Sequence, residues 1–151
     1  MDLRQALVTA VYDRLTTDVT LKELSKLPGE LVGTVRLVNG MPLPDTEFPY
    51  LTHRFALAVN DESWALADGI WYVDLWDHQP DSERLLAMRH RVITLMDWLI
   101  LQPAGGEIKA AQLRLVRDED GPTDAADVFR LMMQFGLYLD RQVEVEAVLT
   151  R

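Results

Sequence analysis

Asp74, Asp77 and His78 stand within five residues of one another, and Glu83 follows shortly after. Carboxylate oxygens and an imidazole nitrogen can ligate a divalent cation. The first chemistry the chain suggests is therefore a metal-dependent reaction. The spacing works against it. Side chains alternate along a strand, so Asp74 and Asp77 fall on opposite faces. Only a bend at the strand's end would bring His78 back toward Asp74. The alternative is a strand end that runs into a helix cap. The histidines are His53, His78 and His90, and none sits in HExxH or HxH spacing. Ser25, Ser63 and Ser82 lack the setting of a nucleophile elbow. No GxGxxG or Walker loop occurs, and Gly105-Gly106 reads as a helix terminator. These patterns specify no catalytic residue, no cofactor site and no metal site.

Composition narrows the classes further. The chain has 151 residues, a length that suits one domain over 1–151 with a core of its own. It has no cysteine, which removes disulfides, thiolate ligands and thiol nucleophiles together. Net charge is −9, from 24 acidic and 15 basic residues, and only Lys22, Lys26 and Lys109 are lysines. Gripping a phosphate backbone takes clustered cations, so specific nucleic-acid binding is not expected. An acidic surface can still border DNA by repelling it. No apolar run reaches the length of a membrane span. The opening Asp2-Leu3-Arg4-Gln5 is amphipathic, unlike an apolar leader.

The elements that would position these residues follow from periodicity. Leu3, Ala6, Leu7, Ala10 and Val11 form one helical stripe over 2–15. Thr20 with Glu23 suggests a capping box for a short helix stopped by Pro28-Gly29. Strands are expected at 35–38, 51–59, 69–77 and 108–117, with turns at Asn39-Gly40 and 60–63. Trp71, Val73 and Leu75 share one face of strand 69–77, and Ile70, Tyr72, Asp74 and Trp76 the other. That strand therefore reads as central and covered on both sides. A long helix is expected from about 82 to 101, and an exposed acidic turn at Asp118–Pro122. Residues 127–140 fit a strand on Phe129, Leu131, Met133, Phe135, Leu137 and Leu139 better than a helix, where Gly136 would be unfavourable. Residues 141–151 read as an edge strand or a tail. The fold class is α+β: a mainly antiparallel sheet of four to five strands against an N-terminal helix and one long helix.

Four residues stand out as candidate partner contacts. On a wheel of 100° per residue, Arg89 falls about 40° from Leu85, inside an apolar arc of about 180°. Covering one sheet takes only about 100°. The excess points to a second covering surface, either the first helix or a neighbouring subunit. Arg89 itself reads as a snorkelling side chain, as a partner of Asp74 across the helix–sheet interface, or as a contact to another chain. Met41 and Leu43 lie in a proline-punctuated loop, as a satellite core or as an interface hook. Trp64, beside Asp61-Glu62, is the tryptophan expected to be most exposed; Trp71, Trp76 and Trp98 read as core or half-core.

The order of these pieces carries a resemblance. An amphipathic helix, a short Leu-rich helix and a Gly/Pro loop lead to Phe48-Pro49-Tyr50 and a strand ending Val73-Asp74-Leu75-Trp76. A long helix follows, then Asp118-Glu119-Asp120-Gly121 and an alternating strand with Phe129-Arg130-Leu131. Over roughly residues 2–140 this resembles the tail-completion, or tail-terminator, proteins of long-tailed bacteriophages and prophages. The resemblance implies a structural subunit of the virion tail, assembled in the bacterial host cytoplasm. Its copies would form a ring, typically six-membered, on the head-proximal end of the tail tube. Its partners would be itself, the tail-tube protein and the head–tail connector proteins, with DNA passing through the ring and no membrane involved. It implies no catalytic residues and no cofactor. A head–tail connector subunit of the same assembly is the nearest alternative. A metal-dependent enzyme using Asp74, Asp77 and His78, or a monomeric binding or chaperone-like module, are alternatives of other classes.

Overall fold

A computed structural model describes residues 3–41, 45–57, 68–78, 83–101, 108–121, 123 and 127–141. The first helix, α1, spans Leu3–Thr16 and buries Ala6, Leu7, Val11 and Leu15, as its apolar stripe requires. The second, α2 (Val19–Leu24), starts two residues earlier than a Thr20 cap would place it. Its N-cap is Asp18, whose carboxylate accepts the Leu21 N–H at 3.0 Å. Asp18 is favoured there because its second oxygen is free to bind Arg91 on another helix, a tie Thr20 cannot make.

After α2 the chain folds back closely on that helix. A Cβ at Gly33 would sit 1.8 Å from the Lys22 carbonyl oxygen, so only glycine fits. Strand β1 (Leu37–Asn39) lies slightly later than the expected 35–38 and ends at Gly40, whose φ of 94° turns the chain. Strands β2 (Tyr50–Leu57) and β3 (Gly69–Asp77) follow, then helix α3 (Glu83–Met96), then β4 (Ile100–Leu101), β5 (Ile108–Asp120) and β6 (Phe129–Arg141). The sheet order is β1-β2-β3-β6-β5-β4. Only the β1–β2 pair is parallel.

The fold class is α+β, with six strands. The sixth exists because α3 stops short of the expected Leu101. Trp98 takes a φ of 65°, which ends the helical path. The Trp98 N–H then donates to the Leu113 carbonyl, and Asp97 accepts the Leu115 N–H at 2.8 Å. Ile100 and Leu101 thereby pair with β5 instead of extending α3. Ile100, one of the residues that would widen the apolar arc, thus lies outside the helix, as does Leu99. The expected acidic turn is also displaced: Asp118, Glu119 and Asp120 continue β5, paired with β6. The expected strand at 127–140 is β6.

The core is one layer of helices on one sheet face. Leu51, Phe55, Trp71, Val73, Leu75, Leu113, Met133, Phe135 and Leu137 meet α1, α2 and α3 there. Along β3, burial alternates strictly. Trp71, Val73, Leu75 and Asp77 are enclosed, whereas Ile70, Tyr72, Asp74 and Trp76 are only half-buried. The expectation that β3 is covered on both sides is therefore corrected: among the described residues, no helix lies on the second face. Its rings are part-covered by neighbours on the same face, Tyr72 by Arg54 and Trp76 by Arg130 and Tyr50, which sequence alternation cannot distinguish from burial under a second layer. The turn at 60–63, Leu43, Trp64 and the segment 142–151 lie outside the described residues. Among those described, no helix is long and apolar enough to cross a membrane.

Candidate functional site

The residues that first suggested metal chemistry are kept apart. Asp77 closes β3 on the helix face, and its side chain is 1% exposed. Arg84, in the first turn of α3, grips both its oxygens at 2.8 Å, and the His78 N–H donates to Oδ1 at 2.8 Å. Burial pushes the Asp77 carboxyl up, but those donors outweigh it and hold its pKa below the usual carboxylate value. Asp74 lies on the opposite face, where the Arg130 guanidinium donates to it at 2.5 and 3.1 Å. Each carboxylate already has a cation. Among the described residues no three His, Asp or Glu side chains converge in a way that could hold a metal ion. Asp77 and His78 stand at the end of β3, Asp74 lies on its other face, and a helix cap before Glu83 would lie outside the described residues.

His53 is buried on the core face of β2. Its Nδ1 accepts the indole N–H of Trp71 at 3.0 Å, and its ring meets Trp71 and Phe55 edge-on. Burial lowers its pKa from 6.5 to about 4, so it is a neutral structural acceptor. His90 is exposed on α3.

Arg89 does not reach Asp74, because the sheet stands between them. It binds Asp118 instead. The cause is a β-bulge between Leu115 and Arg117. With an unbroken alternation from Leu113 and Leu115, Arg117 and Glu119 would face the helices. The extra residue reverses the parity, so Asp118 turns toward α3. Both side chains are about one-third exposed, so the pair contributes at most about 1 kcal/mol. A second tie, Arg91 with Asp18 at 2.7 and 3.0 Å, joins α3 to α2. The hydrogen bond from Arg91 is the main cause of a lowered Asp18 pKa. Met41 is exposed and so is not part of a satellite core. Trp98 is exposed as well, against the expectation of core or half-core, because the left-handed turn at this residue carries its ring away from the helix face.

What the strands do bring together lies on the helix-free face. Cross-strand register places Thr52, Asp74 and Met132 in one row and Arg54, Tyr72 and Gln134 in the next. Arg54 stacks over the Tyr72 ring at 4.0 Å. Arg130 lies 4.6 Å from the Trp76 ring centroid while it binds Asp74. Trp76 donates its indole N–H to Thr52 at 3.0 Å and stacks on Tyr50. Burial raises the Tyr50 pKa. Thr52, Arg54, Tyr72, Asp74, Trp76 and Arg130 line a groove of about 590 Å³, with Met41 and Thr123 also on its wall. Among the described side chains, this face from β2 to β5 carries Arg54, Arg114, Arg117 and Arg130 against Asp74 and Glu119, on a chain of net −9. Aromatic rings and arginines without lysine are the composition of binding surfaces. No nucleophile with an adjacent base stands among these groups.

Sequence patterns did not single out Arg54, Tyr72 or Arg130 as a group. The usable signal was the period-two alternation of β2, β3 and β6. It assigns all three to the face opposite the apolar set, but it does not say which rows adjoin. Arg36 was missed entirely. Its guanidinium donates to the carbonyls of Ser25, Thr34, Glu47 and Pro49, strapping the end of α2 to the approaches of β1 and β2.

No protein-family model matches the chain, and no curated protein matches it in sequence. Solved structures do match in shape. One is a chain from a structure described as the virion of a native gene transfer agent particle. It aligns at a TM-score of 0.64 and 15% identity, over 89% of this chain and 95% of that one. A second solved chain aligns at a TM-score of 0.58 and 16% identity, over 90% and 94%. At these identities the likeness is one of fold.

Proposed function

We propose that the chain is a structural subunit of a phage-like particle, assembling as a ring that terminates the tail tube and joins the tail to the head. One observation carries the proposal: the fold matches a chain of a gene transfer agent virion over nearly the whole length of both. The site agrees in kind. Its aromatic and arginine side chains offer contact area and hydrogen bonding, and its carboxylates are spent on ion pairs instead of being held for proton transfer.

Sedimentation velocity and negative-stain microscopy of the purified protein test the reading. The expected species is a ring near 103 kDa, six times 17.2 kDa. Added to the tail-tube protein of the same particle, the ring should cap tubes at one end and stop their growth. A protein that stays monomeric at high concentration, with and without that tail-tube protein, overturns it.

A further inference from the structure

The exposed large apolar side chains are not spread evenly. Tyr12, Val19 and Leu86 are scattered over the helices and Tyr138 lies on β6, but six others flank the two margins of the sheet. Leu31 and Val32 lead into β1 and Met41 leaves it; they are 91%, 69% and 86% exposed. At the opposite margin Trp98, Ile100 and Val116 are 58%, 59% and 58% exposed. Trp98 bonds through its N–H to the edge of β5, Ile100 lies in β4, and Val116 is the bulge residue of β5. Five strand spacings, about 24 Å, separate the two margins.

Charged side chains flank both margins, and on β5 Arg114 and Arg117 stand with Glu119 and Asp120. Exposed Asp45 and Glu47 follow Met41 on the β1 side. On the β4–β5 side exposed Arg114 stacks over the Trp98 ring at 3.7 Å. We infer that the β1 margin of one copy docks on the β4–β5 margin of the next, with Met41 against the Trp98–Ile100 surface and Asp45 and Glu47 facing Arg114. A two-fold dimer through either margin would leave the other strip in water. Head-to-tail contact buries both strips, and such contacts close into rings when the rotation allows.

The area is adequate. At roughly 170 Å² for a fully exposed large apolar residue, the two strips offer on the order of 700 Å² of apolar surface. A standard interface of about 1,600 Å² is roughly 60% apolar, or about 950 Å². The stems of the flanking charged side chains cover much of the difference. This assignment rests on the ring reading above and names the surfaces that would make the ring.

The test uses two full-length variants with changes only at exposed positions. One carries Met41→Lys and Glu47→Lys; the other carries Ile100→Glu and Arg114→Glu. Circular dichroism and melting first establish that each folds. Each variant alone should sediment as a 17.2 kDa monomer. An equimolar mixture should form a dimer of twice that mass, because each variant supplies the margin its partner lacks. Combining Glu47→Lys and Arg114→Glu in one chain should restore rings, which keeps the test decisive should either double variant fail to fold. Rings that persist in both variants overturn the margin assignment while leaving the ring reading standing. A mixture that stays monomeric overturns head-to-tail docking. A wild type that is itself monomeric removes the ring reading and this inference with it.

Discussion

His53 gives the fold a predicted acid sensitivity. Its Nδ1 is committed as acceptor to the Trp71 N–H, in a pocket closed by Phe55 and Trp71. A proton on Nδ1 would turn the acceptor into a second donor and place a charge in apolar surroundings. The folded state therefore holds the imidazole neutral down to a pKa of about 4, against 6.5 in the open chain. Between those values the unfolded chain binds more protons, so stability falls as the pH drops through 6.5 and the loss is complete near 4. With one pKa unit equal to about 1.4 kcal/mol, the His53 contribution falls by about 2 kcal/mol between pH 7 and 5, and by about 3 by pH 4. In a chain of this length 2 kcal/mol corresponds to about 4–8 °C in Tm. The lowered carboxyls of Asp18 and Asp77 act later: their stabilisation is complete above the ordinary value of 3.8 and is lost only below it. Substituting His53→Asn places an amide oxygen near the Nδ1 position and keeps an acceptor for Trp71 without a titrating group. Melting curves of both proteins at pH 7 and pH 5 decide. The wild type should lose about 4–8 °C more than His53→Asn. Parallel losses would refute the assignment of a buried, neutral His53.

Other substitutions separate the two faces and the ties between elements. Ser25 is fully buried and its Oγ has no hydrogen-bond partner among the described residues; Ser25→Ala should be neutral or stabilise by up to about 1 kcal/mol in urea unfolding. Asp77→Ala leaves Arg84 without its carboxylate at a buried strand end and should cost about 2–3 kcal/mol by the same assay. Asp18→Ala removes the α2 cap and should cost about 1 kcal/mol at neutral pH, less as pH falls below 3.8. Leu75→Ala, on the helix face, should cost about 2–5 kcal/mol. Met132→Ala, on the open face of the neighbouring strand, should cost about 1 kcal/mol or less, and a comparable loss at both sites would mean the second face is covered.

The elements with long unbroken periodicity were legible from the residues alone. The stripe of α1, the alternation of β3 and the β6 pattern from Phe129 to Leu139 each repeat one physical requirement, burial on one side, often enough to exclude the competing period. The misplacements have local causes that periodicity does not encode. Asp97 and Trp98 end α3 through a hydrogen bond to β5 and a left-handed residue, both of which depend on a strand distant in sequence. The bulge at Val116 reverses the facing of Asp118 without changing the residue pattern around it. Ion-pair partners were the least legible. Arg89 was placed correctly on its helix face, but whether Asp74 or Asp118 meets it depends on which side of the sheet each carboxylate occupies.

The candidate site was hidden for a related reason. Tyr72 and Trp76 alternate with Trp71 and Leu75, so both faces of β3 read as apolar, and apolar on both faces normally means a strand between two layers. The fold supplies only one layer. The second face keeps its rings partly shielded by pairing each with a neighbour: Arg54 on Tyr72, Arg130 on Trp76, Trp76 on Tyr50. Stacked arginine–aromatic pairs tolerate water on one side and desolvate at modest cost when covered, because the guanidinium is weakly hydrated and already packed. An isolated chain can therefore keep this face in solution, and an assembled one can bury it. The sheet margins follow the same logic with less shielding, since Leu31, Val32 and Met41 are exposed and have no such stacking partner among the described residues. On this reading the margins drive association between copies. That arrangement leaves the stacked face, with Arg54 on Tyr72 and Arg130 on Trp76, outside the contact between copies.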